Sequence, residues 1–263
     1  MGALSGGLPH FITHATTEIS INTIAPELTI VLPSYQEGAN LAELLPQLSR
    51  VAQILTDKFE ILVVDTRTPL DDTPDVCRQN QATYLPRCGG DMYGDAVRTG
   101  IEASRGRYVA LMDADGSHNP TFLPKLWEYR SEADLVIASR YVKGGHTENP
   151  AILVMMSLLV NVVFRRVLGL KCLDVSNSFR LYKGDDLRLL KLQCFHFDIV
   201  EEILVTLSVL RPSYRIHEVP FSFEQRKAGK TKRKLLAFVF SYLFVLWKLY
   251  RLKCKARSQS FSK

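Results

Sequence analysis

No apolar run in this 263-residue chain reaches the roughly 20 residues that a helix needs to cross a bilayer. The two longest, Ala151–Phe164 and Leu235–Trp247, stop at 14 and 13 residues, and read as helices lying in an interface or docked on a partner or the core. The first 25 residues hold no positive segment followed by an apolar core, so no secretion signal is expected. Five cysteines (Cys77, Cys88, Cys172, Cys194, Cys254) show no paired spacing, which argues against a zinc site or a disulfide framework and for a reducing compartment. His10, His14, His146, His196 and His217 have no metal-ligand spacing either. There is no internal repeat and no low-complexity segment. With 46% hydrophobic and 23% charged residues, the chain has the composition of an ordered domain long enough to bury a full core.

Charge is unevenly distributed. The net value is +6, yet Arg211–Lys263 carries 14 Lys/Arg against 2 Asp/Glu, while residues 1–210 carry 19 against 25, a net −6. A basic tail suits an anionic membrane surface or nucleic acid, the bland alternative being a solvated tail. Here the basic residues flank the aliphatic run Leu235–Trp247 rather than exposed stacking aromatics, so a membrane surface is favoured and no nucleic-acid partner is expected.

After an arm over residues 1–26, strand-like and helix-like segments alternate. Strands are predicted at Leu28–Leu32, Phe59–Asp65, Tyr108–Asp113 and Leu135–Ser139. Helices are predicted at Asn40–Leu55 (capped by Asn40), Thr73–Gln81, Tyr93–Ser104 and Thr121–Arg130. Continuous apolar strands separated by helices imply an α/β fold with a mostly parallel central sheet covered on both faces. Past Tyr141 the rhythm changes, to an apolar helix over Pro150–Leu168, a strand near Phe179–Tyr182, a helix around Asp198–Val209, a strand at Tyr214–Phe223 and the basic-apolar tail. The expected division is an arm (1–26), a catalytic domain (27–234) with an interfacial helix at 150–168, and a C-terminal helix and tail (235–263).

The apolar run Tyr108–Met112 ends in Asp113-Ala114-Asp115. Two carboxylates two residues apart at a strand end can hold one hard divalent cation, Mg²⁺ or Mn²⁺, which bridges to substrate phosphates. Turns are rich in Asp, so the pair alone is weak evidence. Three other strand ends carry polar groups: Pro33-Ser34-Tyr35-Gln36-Glu37, Asp65, and Ser139-Arg140-Tyr141. In a parallel sheet these ends share one edge, and their side chains converge on one crevice.

Pro33 to Leu41, Val64-Asp65, Met112 to Pro120, Ser139-Arg140-Tyr141 and Ser178 to Tyr182 together resemble the motifs of family 2 glycosyltransferases, in the order expected there. The likeness runs from about residue 28 to 234, and is greatest to the polyprenyl-phosphate sugar transferase branch (dolichol-phosphate mannosyltransferase-like). It implies a GT-A fold, a nucleotide-diphosphate sugar donor, Mg²⁺ or Mn²⁺, and inversion at the anomeric carbon. By that resemblance, Pro33, Tyr35 and Glu37 hold the nucleotide, and Asp65 accepts a hydrogen bond from the base. Asp113-Ala114-Asp115 meets the nucleotide-sugar, with Asp113 and Asp115 on the metal. Ser117 falls where several relatives have a glutamine ligand, so the third metal ligand stays open. Arg140 and Ser157 match acceptor contacts, and Gln225–Lys232 resembles a closing loop in which Arg226 and Lys232 contact phosphate.

Departures from the family pattern are informative. Thr66–Thr73 replaces the usual Asp-Gly-Ser-x-Asp-Gly-Thr, and Asp95 stands where small residues are common. Where relatives carry a Lys/Arg cluster this chain has Ile152-Leu153-Val154, so Arg165, Arg166 or the tail supplies the charge, or the acceptor differs. The expectation is therefore an inverting transferase that moves a hexose-type sugar, from a GDP-mannose or UDP-glucose type of donor, to a polyprenyl (dolichyl or undecaprenyl) phosphate. It would act as a peripheral or monotopic protein on the cytoplasmic face of a membrane, with a small membrane-anchor subunit or a homo-oligomer as further partners. An anionic phosphate acceptor needs no strong general base. A saccharide or protein hydroxyl would need one, and Asp198, Glu201 and Glu202 are the available carboxylates. A non-catalytic, membrane-associated binding module is the third reading, disfavoured because both Asp113 and Asp115 are present.

Overall fold

The structure, a computed structural model, describes residues 25–148, 150–211, 213–223 and 235–260. The expected arm, up to residue 24, and the segment 224–234 that includes Arg226 and Lys232 lie outside the described residues. In chain order the first half runs β1 (Leu28–Pro33), α1 (Gly38–Leu55), β2 (Phe59–Asp65), α2 (Thr73–Gln79), β3 (Thr83–Pro86), α3 (Tyr93–Ala103), β4 (Tyr108–Leu111), α4 (Leu123–Glu128) and β5 (Leu135–Ser139). The second half adds β6 (His146–Thr147), α5 (Ala151–Leu168), β7 (Arg180–Lys183), α6 (Gly184–Arg188), α7 (Ile199–Leu210), β8 (Ile216–Pro220), β9 (Ser222–Phe223) and α8 (Leu235–Ser260).

Seven strands form one sheet in the order β3-β2-β1-β4-β7-β5-β8, and β6 pairs with β9 in a small second sheet. All pairs in the large sheet are parallel except those of β7, which runs antiparallel between β4 and β5. The mostly parallel sheet is thus borne out. The reversed β7 brings Ser178 and Phe179, just before its start, to the edge where β4 and β5 end.

The core lies on both faces. Leu28, Ile30 and Leu32 of β1 pack with Leu41, Leu44, Leu45, Leu48 and Ala52 of α1, whereas Val31 packs with Val97 and Ile101 of α3 on the opposite face. The α1 residues recur at helical spacing, and each fully buried leucine contributes about 2 kcal/mol. On the second face α7 buries Ile203 and Leu204, and Leu249 of α8 is fully buried in the same cluster. Lys253 of α8 is buried too, and its Nζ donates to the Leu168 carbonyl at the end of α5.

Several boundaries differ from the sequence expectation. The first helix begins at Gly38, not Asn40: Glu37 is its cap residue, Asp71 Oδ2 accepts from Gly38 N at 2.8 Å, and Asn40 Nδ2 donates to Glu37 at 2.5 Å. A carboxylate 33 residues downstream takes the place of a local cap. The helix expected over 121–130 opens as a 3₁₀ turn at Pro120–Phe122, and the strand expected over 214–223 divides at Phe221. There Phe221 N donates to Ser139, and its carbonyl accepts from His146 N, so the chain leaves one sheet for the other. The short edge strand β3 has no alternation to announce it.

Candidate active site

The ends of β1, β2, β4 and β5 share one edge of the sheet, as their parallel order requires. Beyond it opens a cavity of about 370 Å³. One wall is the loop Pro33, Ser34, Tyr35 and Glu37, and another is Asp113, Ala114 and Asp115. The structure therefore brings together six of the residues singled out from sequence. It adds Arg87, Asp91, Met92 and Tyr93, from the segment that leads into α3, and His196 and Phe197, from the loop before α7.

Hydrogen bonds orient both carboxylates of the pair. Asp113 Oδ1 accepts from the Tyr93 hydroxyl at 3.0 Å and Oδ2 from Ser178 Oγ at 2.8 Å. Asp113 N donates to His118 Nδ1 at 3.0 Å, so the ring proton sits on Nε2, 3.8 Å from Asp113 Oδ2. His118 is buried and stacked on Phe179 at 5.0 Å; burial pulls its pKa below the ordinary value. Burial and the Asp113 charge push the Tyr93 hydroxyl well above its usual range, so it stays a donor. Asp115 Oδ1 accepts from Ser117 N at 3.1 Å and Ser117 Oγ at 2.6 Å, across a turn in which Gly116 takes φ +79°. Ser117 thus orients Asp115 through both bonds.

Among the described residues no group of three His, Cys, Asp or Glu side chains could hold a metal. Two carboxylates in an open cavity nonetheless fit Mg²⁺ or Mn²⁺, hard cations that complete their shell with water and substrate phosphate.

Asp65 does not line the cavity. It shares the parity of Ile61 and Val63, which face α1 and α2, and both its oxygens are sealed from solvent. Burial pushes its carboxyl above the ordinary range, against the pull of the Thr66 N–H. Its backbone is reached instead by Arg87, a buried residue missed in the sequence. Arg87 Nε donates to Asp65 O at 3.0 Å, Nη1 to Asp91 O at 2.9 Å, and Nη2 to Ser34 O. One guanidinium so ties the ends of β1, β2 and β3 together. Its only sequence signal was a charge directly after the unrecognised strand β3.

Arg140 also differs from expectation in its surroundings. Its Nε and Nη2 grip the buried carboxylate of Asp174 at 2.8 and 2.7 Å, and Nη2 reaches Ser176 Oγ at 2.9 Å. Burial opposes the charge on Asp174, but Arg140 holds its carboxyl below the usual range. Asp174 Oδ1 accepts from Asn177 N at 3.1 Å, next to the Ser178 that holds Asp113. Arg140 therefore reaches the metal-type carboxylate through a loop, and it does not line the cavity. Ser157 lies on α5 and bonds Asn161 Nδ2 through its carbonyl at 2.8 Å, also away from the cavity.

None of the three carboxylates considered as a base lines the cavity. Glu202 is fully buried and accepts from Gln193 N and Cys194 N. Asp198 Oδ1 accepts from His196 N at 3.0 Å, two residues upstream, and its side chain makes no capping bond to α7. Burial raises Glu201 to about 8, so it is largely uncharged at neutral pH. These bonds instead fix the loop 193–198, which carries His196 and Phe197. The loop presses on α3: Gly94 N donates to Phe195 O at 2.7 Å, a Cβ at Gly94 would lie 2.3 Å from Cys194 O, and Phe197 stacks on Tyr93 at 4.2 Å.

The family model described as glycosyl transferase family 2 matches residues 29–189. The chain is 35% identical over 217 residues to an undecaprenyl-phosphate mannosyltransferase of Micrococcus luteus, covering 77% of this chain and 85% of that one. It is 31% identical over 236 residues to a dolichol-phosphate mannosyltransferase of Pyrococcus furiosus, covering 86% of this chain and 64% of the relative's length. Among solved structures, glucosyl-3-phosphoglycerate synthase from Mycobacterium tuberculosis, in complex with Mn²⁺, uridine diphosphate and phosphoglyceric acid, superposes with a TM-score of 0.64 at 18% identity. That match covers 86% of this chain and 78% of the other, and shows a shared GT-A fold.

Proposed function

Because the chain belongs to glycosyl transferase family 2, and is therefore a glycosyltransferase, we propose that it moves a hexose-type sugar from a nucleoside-diphosphate donor to a polyprenyl phosphate, with inversion. The observation that carries this reading is one cavity walled on one side by Pro33, Tyr35 and Glu37 and on another by Asp113 and Asp115. The loop suits a nucleotide, and the carboxylate pair suits a divalent cation on its diphosphate. When bound, such a cation supplies charge stabilisation for the departing diphosphate. Asp113 and Asp115 would hold it, and the donors Tyr93, Ser178 and Ser117 keep both carboxylates aimed.

Acid–base chemistry bears on the choice of acceptor. Attack on the anomeric carbon by a hydroxyl requires a base within hydrogen-bond reach; the three carboxylates weighed for it stand outside the cavity, whose own acid–base side chains are Glu37, Asp91, Asp113, Asp115 and His196. A phosphate monoester is already an anion, so the reaction is driven by placing it in line with the leaving diphosphate. The names of the two relatives, both transferases to a polyprenyl phosphate, support this acceptor. Attachment of Arg226 and Lys232 to phosphate belongs to the same proposal, whereas the buried Asp65 stands outside the cavity and is left out of it.

A lipid acceptor implies work at a membrane, on its cytoplasmic face where nucleotide sugars are available. Among the described residues no helix is long and apolar enough to cross one. Peripheral binding is supported by exposed apolar side chains on two helices that pack together: Ile152, Met155 and Leu159 on α5, and Phe244, Trp247 and Tyr250 on α8. The proposal is tested by incubating the protein with a panel of nucleotide sugars and a short polyprenyl phosphate in detergent, with Mn²⁺ or with EDTA. A labelled product that partitions into chloroform and vanishes with EDTA is expected. Donor hydrolysis with no lipid product, or transfer only to a soluble saccharide, overturns it.

A further inference from the structure

The wall of the cavity formed by His196 and Phe197 has no role in the nucleotide or metal reading, yet the loop that carries it is held by several hydrogen bonds. Loop 193–198 is pinned from two sides. Glu202 accepts from two of its backbone N–H groups, and Asp198 accepts from a third. From α3, Gly94 N donates to Phe195 O, and Arg98 donates to Cys194 O. Such bracing is what a recognition surface needs if it is to discriminate between closely similar ligands.

Its position follows from the cavity's other walls. Phe197 stacks on Tyr93, whose hydroxyl is bonded to Asp113, so the aromatic pair adjoins the carboxylates that face the diphosphate. The Pro33–Glu37 loop, to which the nucleoside is assigned, lines the same cavity. His196 and Phe197 belong to neither the nucleoside loop nor the carboxylate pair, which leaves them to the group attached to the distal phosphate of the donor. Phe197 keeps 43% of its surface exposed although it packs on Tyr93, so part of its ring is offered to a ligand. A pyranose presents apolar C–H patches that suit an aromatic ring, and hydroxyls that suit an imidazole able both to donate and to accept.

We propose that Phe197 and His196 are specificity-determining residues that contact the hexose of the donor, Phe197 by packing against its C–H face and His196 by hydrogen-bonding a hydroxyl. The inference rests on the assignment of Asp113 and Asp115 to the diphosphate end. Tyr93 acts as the post that keeps this wall in register with the carboxylate pair.

The test is equilibrium binding by calorimetry of UDP, GDP, UDP-glucose and GDP-mannose to the full chain in detergent with Mn²⁺, for wild type, Phe197→Leu, Phe197→Ala and His196→Ala. The wild type is expected to bind its own nucleotide sugar more tightly than the matching nucleoside diphosphate. The variants should bind the nucleoside diphosphate as wild type does and lose about fivefold to tenfold in affinity for the nucleotide sugar, as one stacked contact or hydrogen bond is worth. Thermal melts of Phe197→Leu, which keeps an apolar side chain against Tyr93, separate contact from folding. Equal weakening of diphosphate and nucleotide sugar overturns the proposal, as does unchanged binding of both with a raised KM for polyprenyl phosphate, which would give the wall to the acceptor. If wild type binds none of the four, the diphosphate assignment itself falls.

Discussion

Each oxygen of Asp113 already accepts one hydrogen bond from a residue distant in sequence, and Asp115 takes two from Ser117. Preorganisation of this kind makes single substitutions separable. Asp115→Ala is expected to abolish metal-dependent turnover while the thermal melt stays near wild type, because Asp115, though buried, lines the cavity and belongs to neither hydrophobic cluster. Tyr93→Phe keeps the stack on Phe197 but releases one oxygen of Asp113. Outer partners of this kind are worth about 10–100-fold in metal affinity, so Mn²⁺ binding read by electron paramagnetic resonance should weaken by that order with the fold intact. The buried pair Arg140–Asp174 behaves differently. Asp174→Ala strands a guanidinium that is itself mostly buried, at a cost of about 3–5 kcal/mol in denaturant unfolding. An Asp174→Ala protein as stable as wild type would show the pair to be idle. At this scale the sequence was legible for Asp113 and Asp115, since a strand end with two carboxylates is a local pattern. Arg87 and Tyr93 were not legible, because nothing near them in the chain announces the carbonyls and carboxylate they meet in space.

Helix α7 shows how burial alone can make an element sensitive to pH. Glu201 in its first turn is raised to about 8, chiefly by burial, with Arg180 pulling it down and Asp198 and Asp174 adding repulsion. A carboxyl whose pKa is higher folded than unfolded binds more protons in the native state. Stability then falls as pH rises from the ordinary carboxylate range toward 8, and is level above it. Glu201→Gln, which keeps the neutral shape, is expected to flatten this decline, so that its melting temperature exceeds that of wild type at pH 8.5 by more than at pH 5.5. Equal differences at the two pH values would sink the assignment. A helix around Asp198–Val209 was expected from the sequence, but the role of its carboxylates was not legible there. Glu202 and Asp198 look identical to catalytic bases in sequence, and are distinguished only by the backbone N–H groups of residues 193–196 that they accept from.

For the whole molecule, the arrangement of α5 and α8 gives a prediction about membranes. Leu249 and Lys253 anchor α8 to the body of the protein, while Phe244, Trp247 and Tyr250 remain exposed. Vesicles rich in anionic lipid should therefore retain the protein on flotation, more weakly as salt increases. Trp247→Ala together with Phe244→Ala should release it without lowering turnover of a short, detergent-dispersed acceptor. Retention unchanged by both substitutions would remove the face from the membrane. The alternation of strands and helices, the mostly parallel sheet and the carboxylate pair at a strand end were all readable along the chain. Side-chain periodicity and turn chemistry act within a few residues, and they are written in consecutive letters. The reversal of β7, the grip of Arg140 on Asp174, the turning of Asp65 away from the cavity and the placing of His196 and Phe197 in its wall came only with tertiary structure. Those features depend on which distant segments bury one another's surface and satisfy one another's polar groups. That free-energy balance is struck between parts of the chain far apart in sequence, as Tyr93 and Phe197 are, and no local pattern contains it.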